Sequence, residues 1–343
     1  MTRSTNRRLR PLRPRQVNLL LEVFVVAAIC TGLVSWAVGD RWSGWFVLVH
    51  GAVGISLLLL VPAKLRGSVA AGFRRRRPTR WLSAAFGVLV LATVALGLLH
   101  ATGLWYGVGY WSALWTHSLF AFALIPLFVW HLVTRPVRPR PTDLDRRALL
   151  SGGLVVASAA AVYVAQEGVT RLAGLAGGDR RSTGSHEVAS FNPAGMPTVI
   201  WFNDRRPEQT DEAGWPLVIS GGPTAIAALR AMARPVVATL DCTGGWWSEQ
   251  AWDAVPLGDL IARPAGRSVR VRSVTGYDRL FAHDDLDQIY LAVGYGGRPL
   301  RPGHGAPVRL IVPGRRGPWW VKWVTSVEAD DSPPWLQSPL PLT

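Results

Sequence analysis

Apolar residues along this chain fall into two regimes. Up to about Val169 they come in runs long enough for a helix to cross a bilayer at about 1.5 Å per residue. Beyond about Val188 they come in short bursts separated by proline and glycine, the pattern of strands and turns. The long runs are Val17 to Val38, Trp45 to Val61, Trp81 to Leu104 and Trp111 to Val133, with a milder, alanine-rich one after Ser151 to about Val169. The short ones predict strands at Trp215 to Ile219, Val236 to Leu240, Ser268 to Val274, Ile289 to Val293, Val308 to Val312 and Trp319 to Val327. Helices are predicted at Thr224 to Ala233 and Val255 to Ala262. The fold class is therefore an all-α transmembrane bundle of about four spans plus a fifth anchoring span, followed by a mostly-β α+β domain. The boundaries expected are 1–140 for the bundle, 141–187 for the fifth span and a linker, and 188–343 for the second domain.

Charge gives the runs a direction. The chain has 343 residues and a net charge of +15, and much of that excess is arginine beside the apolar runs. Residues 1–16, the loop from Lys64 to Arg80, and Arg135 to Arg140 are basic, whereas the intervening loops are short and aromatic. This is the positive-inside bias of a multi-pass protein in the cytoplasmic membrane and not a nucleic-acid surface, so nucleic acid is excluded as a partner and the lipid bilayer is expected as one. The second domain is then carried to the outer face. Arg146 and Arg147 before the fifth run resemble a twin-arginine export signal, although the positive-inside rule alone also produces such pairs.

Four histidines lie in the apolar runs, where histidine is costly and normally faces a bundle interior or a cofactor. His50, His100 and His117 fall near the outer end and His131 near the inner one. His117 and His131 are fourteen residues apart and share a helix face about 21 Å apart, a spacing similar to that of b-type cytochromes. Lys64 stands fourteen residues after His50, so an inner haem has no evident second ligand. One outer haem b held by His50 and His117 is expected, with His100 as the alternative ligand. The competing view is that these histidines only bond neighbouring helices or headgroups. His186 and His283 lie in polar stretches and are expected to be solvated.

The chemistry of the second domain centres on Asp241-Cys242-Thr243-Gly244-Gly245-Trp246-Trp247. A strand-like run ends at the cysteine, and the glycines allow a tight turn and close approach. A thiol there is either a soft metal ligand or a small core residue, and no second Cys or His stands near enough for a closed zinc site. Arg309 offers a planar fork for a phosphate, and Gly303 and Gly305 upstream of it allow backbone N–H groups to come close. Lys322 in a strand-like aromatic stretch asks for a buried anion.

Leu240 to Trp246 with Trp252 and Val255-Pro256-Leu257, then Leu291 to Leu300 with His304 to Gly314, then Val321-Lys322-Trp323, resemble in order the three signatures of the sulfite oxidase family of molybdenum enzymes. The resemblance implies a sulfite-oxidase-type fold and a molybdenum-molybdopterin cofactor, with Cys242 as the catalytic sulfur ligand to molybdenum. It implies that His304, Arg309 and Lys322 hold the pterin and its phosphate, with Phe202 and Asn203 as weaker matches. The family's arginine five residues after the cysteine is Trp247 here, which disfavours an oxyanion of the sulfite kind. Trp246, Trp247 and Tyr295 are expected at a substrate rim. The branch that reduces methionine sulfoxide in the bacterial envelope also lacks that arginine. The expected function is oxygen-atom transfer on the outer face, reducing a sulfoxide or related S- or N-oxide. Electrons would come from a quinone or other membrane carrier through the haem. The alternatives are oxidation of a small sulfur compound, and a metal-free, membrane-tethered binding domain.

Overall fold

The structure is a computed structural model that describes residues 12–39, 44–108, 111–199, 205–208, 210–261 and 266–338. The chain divides into two compact units, Met1–Ser35 with Trp42–Gly184, and Trp36–Arg41 with Ser185–Thr343.

The first unit is helical. Its long helices are α1 (Pro14–Ala37), α2 (Gly44–Lys64), α3 (Arg80–Thr102), α4 (Ala113–Thr134) and α5 (Arg146–Leu172). These five are long and apolar enough to cross a membrane. Local chemistry sets their ends. The Ser112 hydroxyl accepts from Trp115 N at 3.0 Å to start α4, and the Asp145 carboxylate accepts from Ala148 N at 2.7 Å to start α5. Gly103, with φ +71°, closes α3 in the left-handed conformation that glycine adopts without strain. Phe24, Val53, Leu57, Val90, Leu124 and Phe128 form a buried core among α1 to α4. Meanwhile Trp45, Trp81, Val88 and Val133 are exposed, an apolar exterior beyond that of an ordinary soluble domain.

The second unit is built on two sheets. Its strands are β1 (His186–Glu187), β2 (Val218–Ile219), β3 (Gly222–Pro223), β4 (Arg234–Cys242), β5 (Trp246–Pro256), β6 (Ser268–Ser273), β7 (Asp278–Phe281), β8 (Tyr290–Tyr295), β9 (Arg298–Pro299), β10 (Arg309–Ile311) and β11 (Val324–Asp330). One sheet runs β9-β8-β5-β1, with β10 also on β8 and β4 also on β5; the other runs β3-β2-β11-β6-β7. The helices are α6 (Ile226–Met232) and α7 (Leu257–Leu260).

The β4–β5 hairpin positions the site. Its pairing runs without a slip from Arg234↔Ala254 to Cys242↔Trp246, so Thr243-Gly244-Gly245 forms the whole connection. Gly245 has φ +87°, a conformation that a side chain would strain. β5 is absent from the sequence expectation for a clear reason. Its residues alternate in burial, but Ser248 and Gln250 occupy inward positions where a hydropathy pattern needs apolar residues. Their donors are satisfied there, since Gln250 Nε2 donates to the Ala189 carbonyl and to Ser248 Oγ, both at 2.8 Å, and Ser248 Oγ donates to the same carbonyl at 3.2 Å.

Other expectations shift at their edges. The predicted helix at Val255 shrinks to α7, because Val255 and Pro256 finish β5. The strand predicted from Trp319 starts only at Val324, because Gly317–Trp319 is a 3₁₀ turn containing Pro318. Lys322 therefore lies just before a strand, not within one. Part of the expected linker is ordered as a 3₁₀ turn at Ala176–Asp179 and as β1. His186 is buried, not solvated, because β1 pairs in parallel with β5 and sets it beside Trp246. His283 is half-buried at the start of a 3₁₀ turn, with its Nε2 enclosed.

Candidate functional site

Cys242 ends β4 with its side chain almost enclosed, at 8% exposure. Its Sγ accepts from Gly244 N at 3.4 Å. A Cβ added to Gly244 would lie 3.3 Å from Trp246 Nε1 and 3.6 Å from Cys242 Sγ, so glycine lets the turn fold over the sulfur. Burial pushes the thiol pKa up, while the Gly244 N–H and the charges of Arg316 and Lys322 pull it down. Burial is the larger effect and leaves the thiol pKa raised, and the surrounding donors and cations offset part of it.

Arg316 is a charged residue that sequence reasoning missed. It is 1% exposed, donates from Nη2 to the Cys242 carbonyl at 3.1 Å, and its Nη1 lies 3.5 Å from Asp241 Oδ1. Asp241 also accepts from Ser185 Oγ at 2.7 Å. A parallel bridge between Asp241 and Arg316 brings these distant positions together, and a sequence carries no sign of it.

Arg309, at the start of β10, is 1% exposed. It donates from Nη1 to the His304 carbonyl at 3.0 Å and from Nη2 to the Trp320 carbonyl at 3.5 Å, and its Cζ lies 5.2 Å from the Trp252 ring and 5.6 Å from that of Trp320. Among the described residues no carboxylate pairs with it, and its Nε has no hydrogen-bond partner. Burial lowers its pKa to about 10, held up in part by Tyr295 and Cys242. A desolvated guanidinium with an open donor calls for an anion.

His304 is enclosed beside it. Its Nε2 shares a hydrogen bond with Thr198 Oγ1 at 3.0 Å, and its ring centroid lies 5.7 Å from that of Tyr295. Burial, with the charges of Arg309, Lys322 and Arg301, lowers its pKa to about 3, so it is neutral at ordinary pH. Lys322 Nζ donates to the Val199 and Gly303 carbonyls, each at 2.7 Å. A Cβ on Gly303 would lie 2.5 Å from Thr198, and one on Gly305 would lie 3.0 Å from Arg309 and 3.2 Å from Lys322. Gly305 thus lets the His304 turn draw in against Arg309 and Lys322, and Gly303 lets it close on Thr198.

Cys242, His304, Arg309 and Lys322 belong to one neighbourhood, linked by these contacts and by the charges of Arg309 and Lys322 acting on Cys242. Of the expected rim, Trp246 is buried with Nε1 unpartnered among the described residues, and Trp247 is half-buried. Tyr295 is interior, stacked edge-on against Trp252 at 5.5 Å. Phe202 and Asn203 lie outside the described residues. Trp252 and Trp320, which flank Arg309, were not expected as site residues; their spacing gives no hint of it.

The helical unit holds a second grouping. The His50 and His117 ring centroids are 5.9 Å apart with perpendicular planes. His50 Nδ1 is bonded to the Ala28 carbonyl at 3.0 Å and His117 Nδ1 to the Thr93 carbonyl at 2.8 Å. Neither Nε2 has a partner among the described residues. Carbonyl-anchored Nδ1 and available Nε2 is how a metal-binding imidazole is held. Gly32 and Gly97 give these rings room, since a Cβ at either would lie 3.0 or 3.1 Å from the adjacent imidazole. His100 is placed elsewhere, with Nε2 bonded to the Gly184 carbonyl at 3.0 Å.

Residues 205–335 match the family model described as the oxidoreductase molybdopterin binding domain. Among curated proteins, the nitrate reductase [NADH] of Spinacia oleracea is 33% identical over 110 residues, 24% of this chain and 12% of that protein. The nitrate reductase [NADPH] of Fusarium oxysporum is 30% identical over 100 residues, 25% of this chain and 11% of that protein. The chain thus spans only about a tenth of the length of these relatives. Among solved structures, the sulfane dehydrogenase SoxCD of Paracoccus pantotrophus aligns at 25% identity with a TM-score of 0.33, covering 41% of this chain and 46% of that one. Residues 205–335 thus carry a molybdopterin-binding oxidoreductase domain.

Proposed function

We propose that this molybdopterin-binding oxidoreductase domain is tethered to the cytoplasmic membrane by five helices and reduces a sulfoxide or related S- or N-oxide on the outer face. His50 and His117 would hold a haem b, which would supply one-electron relay from a membrane quinone or similar carrier. The apolar exterior of the helical unit supports the tether, and the basic loops support the orientation. The paired imidazoles, each held through Nδ1, support the haem.

The residues present fit a molybdopterin. Arg309 supplies a buried, unneutralised cation for the pterin phosphate, the neutral His304 sits beside it, and Lys322 closes the turn around them. Cys242 presents the sulfur for molybdenum. A molybdenum-molybdopterin centre, once bound, supplies oxygen-atom transfer with a two-electron change. The chain's own part is to exclude water from Cys242, hold the thiol among cations, and wall the approach with Trp246 and Trp247.

One observation carries the choice of substrate. The position five residues after Cys242 is Trp247, so no cation projects from there toward an oxyanion, and an aromatic wall suits a neutral S-oxide. The second reading, oxidation of a small sulfur compound, draws on Arg316, a cation beside Cys242. Yet Arg316 is already engaged with Asp241 and the Cys242 carbonyl. A metal-free binding domain is disfavoured because it would leave Arg309 desolvated without an anion.

The test is a joint assay of molybdenum and haem on detergent-solubilised chain, followed by turnover with a dialkyl sulfoxide and a reduced viologen, and separately with sulfite and an electron acceptor. Stoichiometric molybdenum with sulfoxide turnover that is lost in Cys242→Ser, the haem spectrum being intact, is the expected result. Turnover with sulfite alone would favour the second reading, and substoichiometric molybdenum the binding domain.

A further inference from the structure

The inward face of α5 carries a polar cluster that neither the haem pair nor the pterin site uses. Tyr163 and Thr170 are buried, at 6% and 1% exposure. Arg180 donates from Nη2 to Glu167 Oε1 at 2.6 Å, with only 7% of the arginine side chain and 19% of the glutamate exposed. The Tyr163 hydroxyl hydrogen-bonds with both members of this pair. Gln166, three residues after Tyr163 and so on the same face, donates from Nε2 to Thr170 Oγ1 at 2.8 Å. Two enclosed atoms have no partner among the described residues: Arg180 Nη1, a donor, and Gln166 Oε1, an acceptor. An open donor and an open acceptor in one buried cluster mark a place for a ligand that offers both.

Position narrows the ligand. A Cβ on Gly51, the residue after His50, would lie 2.2 Å from the Tyr163 ring, so Tyr163 packs directly on the backbone beside that histidine. The flanks of α5 expose Val162, Val164 and Val169, where a lipid-soluble tail would lie. A carboxylate ligand, such as a haem propionate, could take Arg180 Nη1 but would be repelled by Gln166 Oε1 and Glu167. A quinol satisfies both atoms, because each hydroxyl donates and accepts and one sits at either end of the ring.

We propose that Tyr163, Gln166, Glu167 and Arg180 form a binding site for the head group of a membrane quinol, next to His50. One hydroxyl accepts from Arg180 Nη1 and the other donates to Gln166 Oε1. Glu167 is the carboxylate placed to take a proton as the quinol is oxidised. The quinol loses two electrons and two protons and becomes quinone. The sulfoxide gains both pairs, its S–O bond breaks, and water leaves. Release and uptake of protons fall on the same side of the membrane, so turnover moves no net charge across it. The redox part rests on the reductase and haem reading above; the binding site does not.

The experiment uses the full chain in nanodiscs. Haem reduction by decyl-benzoquinol is followed by absorbance in the wild type, Gln166→Leu and Glu167→Gln, with dithionite as the control. A parallel arm labels the protein with a photoreactive azidoquinone and maps the adduct by mass spectrometry. Expected are an adduct on α5 that Gln166→Leu suppresses at least tenfold, and quinol-driven reduction slowed at least tenfold in both variants while dithionite reduction is unchanged. Wild-type rates in both variants, or an adduct only on other helices, would overturn the site. Absence of haem from the wild type would sink the relay, and the adduct alone would then decide the site.

Discussion

The guanidinium of Arg316 is bonded to the backbone carbonyl of Cys242, Nη2 to oxygen at 3.1 Å, while its other nitrogen lies 3.5 Å from Asp241. One buried cation thus fixes the end of β4, neutralises the carboxylate before the cysteine, and lowers the thiol pKa. Replacing it by Met leaves Asp241 buried without its cation, which costs roughly 3–5 kcal/mol. Arg316→Met should therefore lower the melting temperature of the second unit and reduce molybdenum content, and Arg316→Lys should restore part of both. Thermal unfolding followed by tryptophan fluorescence, with molybdenum analysis, checks this. A wild-type melting temperature in Arg316→Met would show that Ser185 alone satisfies Asp241.

Arg309 is expected to act chiefly through the bound state. Its desolvated charge has no carboxylate partner among the described residues, so an anionic ligand gains what the protein itself lacks. A ligand that binds only the folded state raises its stability by mass action. The cofactor-loaded protein should melt above the cofactor-free one in the wild type, and this gap should vanish in Arg309→Met, with pterin content down at least tenfold. Fluorescence of the oxidised pterin released by acid gives the content. A retained gap would move the phosphate to another cation.

The sequence made the division of the chain legible, because the long apolar runs form the long helices of one unit and the short, punctuated runs form strands of the other. It also made legible the residues whose identity is chemically odd: Cys242 before two glycines, Arg309 after a glycine-flanked histidine, His50 and His117 in apolar runs. It did not show β5, whose inward Ser248 and Gln250 invert the hydropathy alternation. Nor did it show Arg316, since an arginine beside Arg315 reads as ordinary surface charge until the Asp241 bridge draws it inside. The Gln166 and Arg180 cluster was hidden for a similar reason, because polar residues near the end of a span read as interfacial.

His304 gives the pH dependence a sign. Its folded pKa is about 3, against an ordinary value of about 6.5. As pH falls through about 6.5 the unfolded chain takes a proton that the folded one refuses until near 3, so the unfolded state binds more protons in that window. Cofactor-free protein should lose stability steadily from about pH 6.5 downward. His304→Asn, which keeps a polar side chain that does not titrate, should flatten this fall. Melting temperatures at several pH values across that window provide the check, and an equal slope in both proteins would put the acid sensitivity elsewhere.

Gly97 provides the sharpest probe of the paired imidazoles. A Cβ there would stand 3.1 Å from both Cε1 and Nδ1 of His117, closer than side-chain carbons ordinarily approach, and the ring is tied by Nδ1 to the Thr93 carbonyl at 2.8 Å. Gly97→Ala must tilt or displace the imidazole. Gly54 is the internal control, since a Cβ there meets only Val94, at 3.9 Å. Both substitutions favour the helix by roughly 1 kcal/mol, so a change in haem content or Soret position seen only in Gly97→Ala reports on the ligand and not on helix stability. His117→Ala should remove the haem outright. If Gly97→Ala and Gly54→Ala gave identical, wild-type haem spectra, His117 would not be an iron ligand.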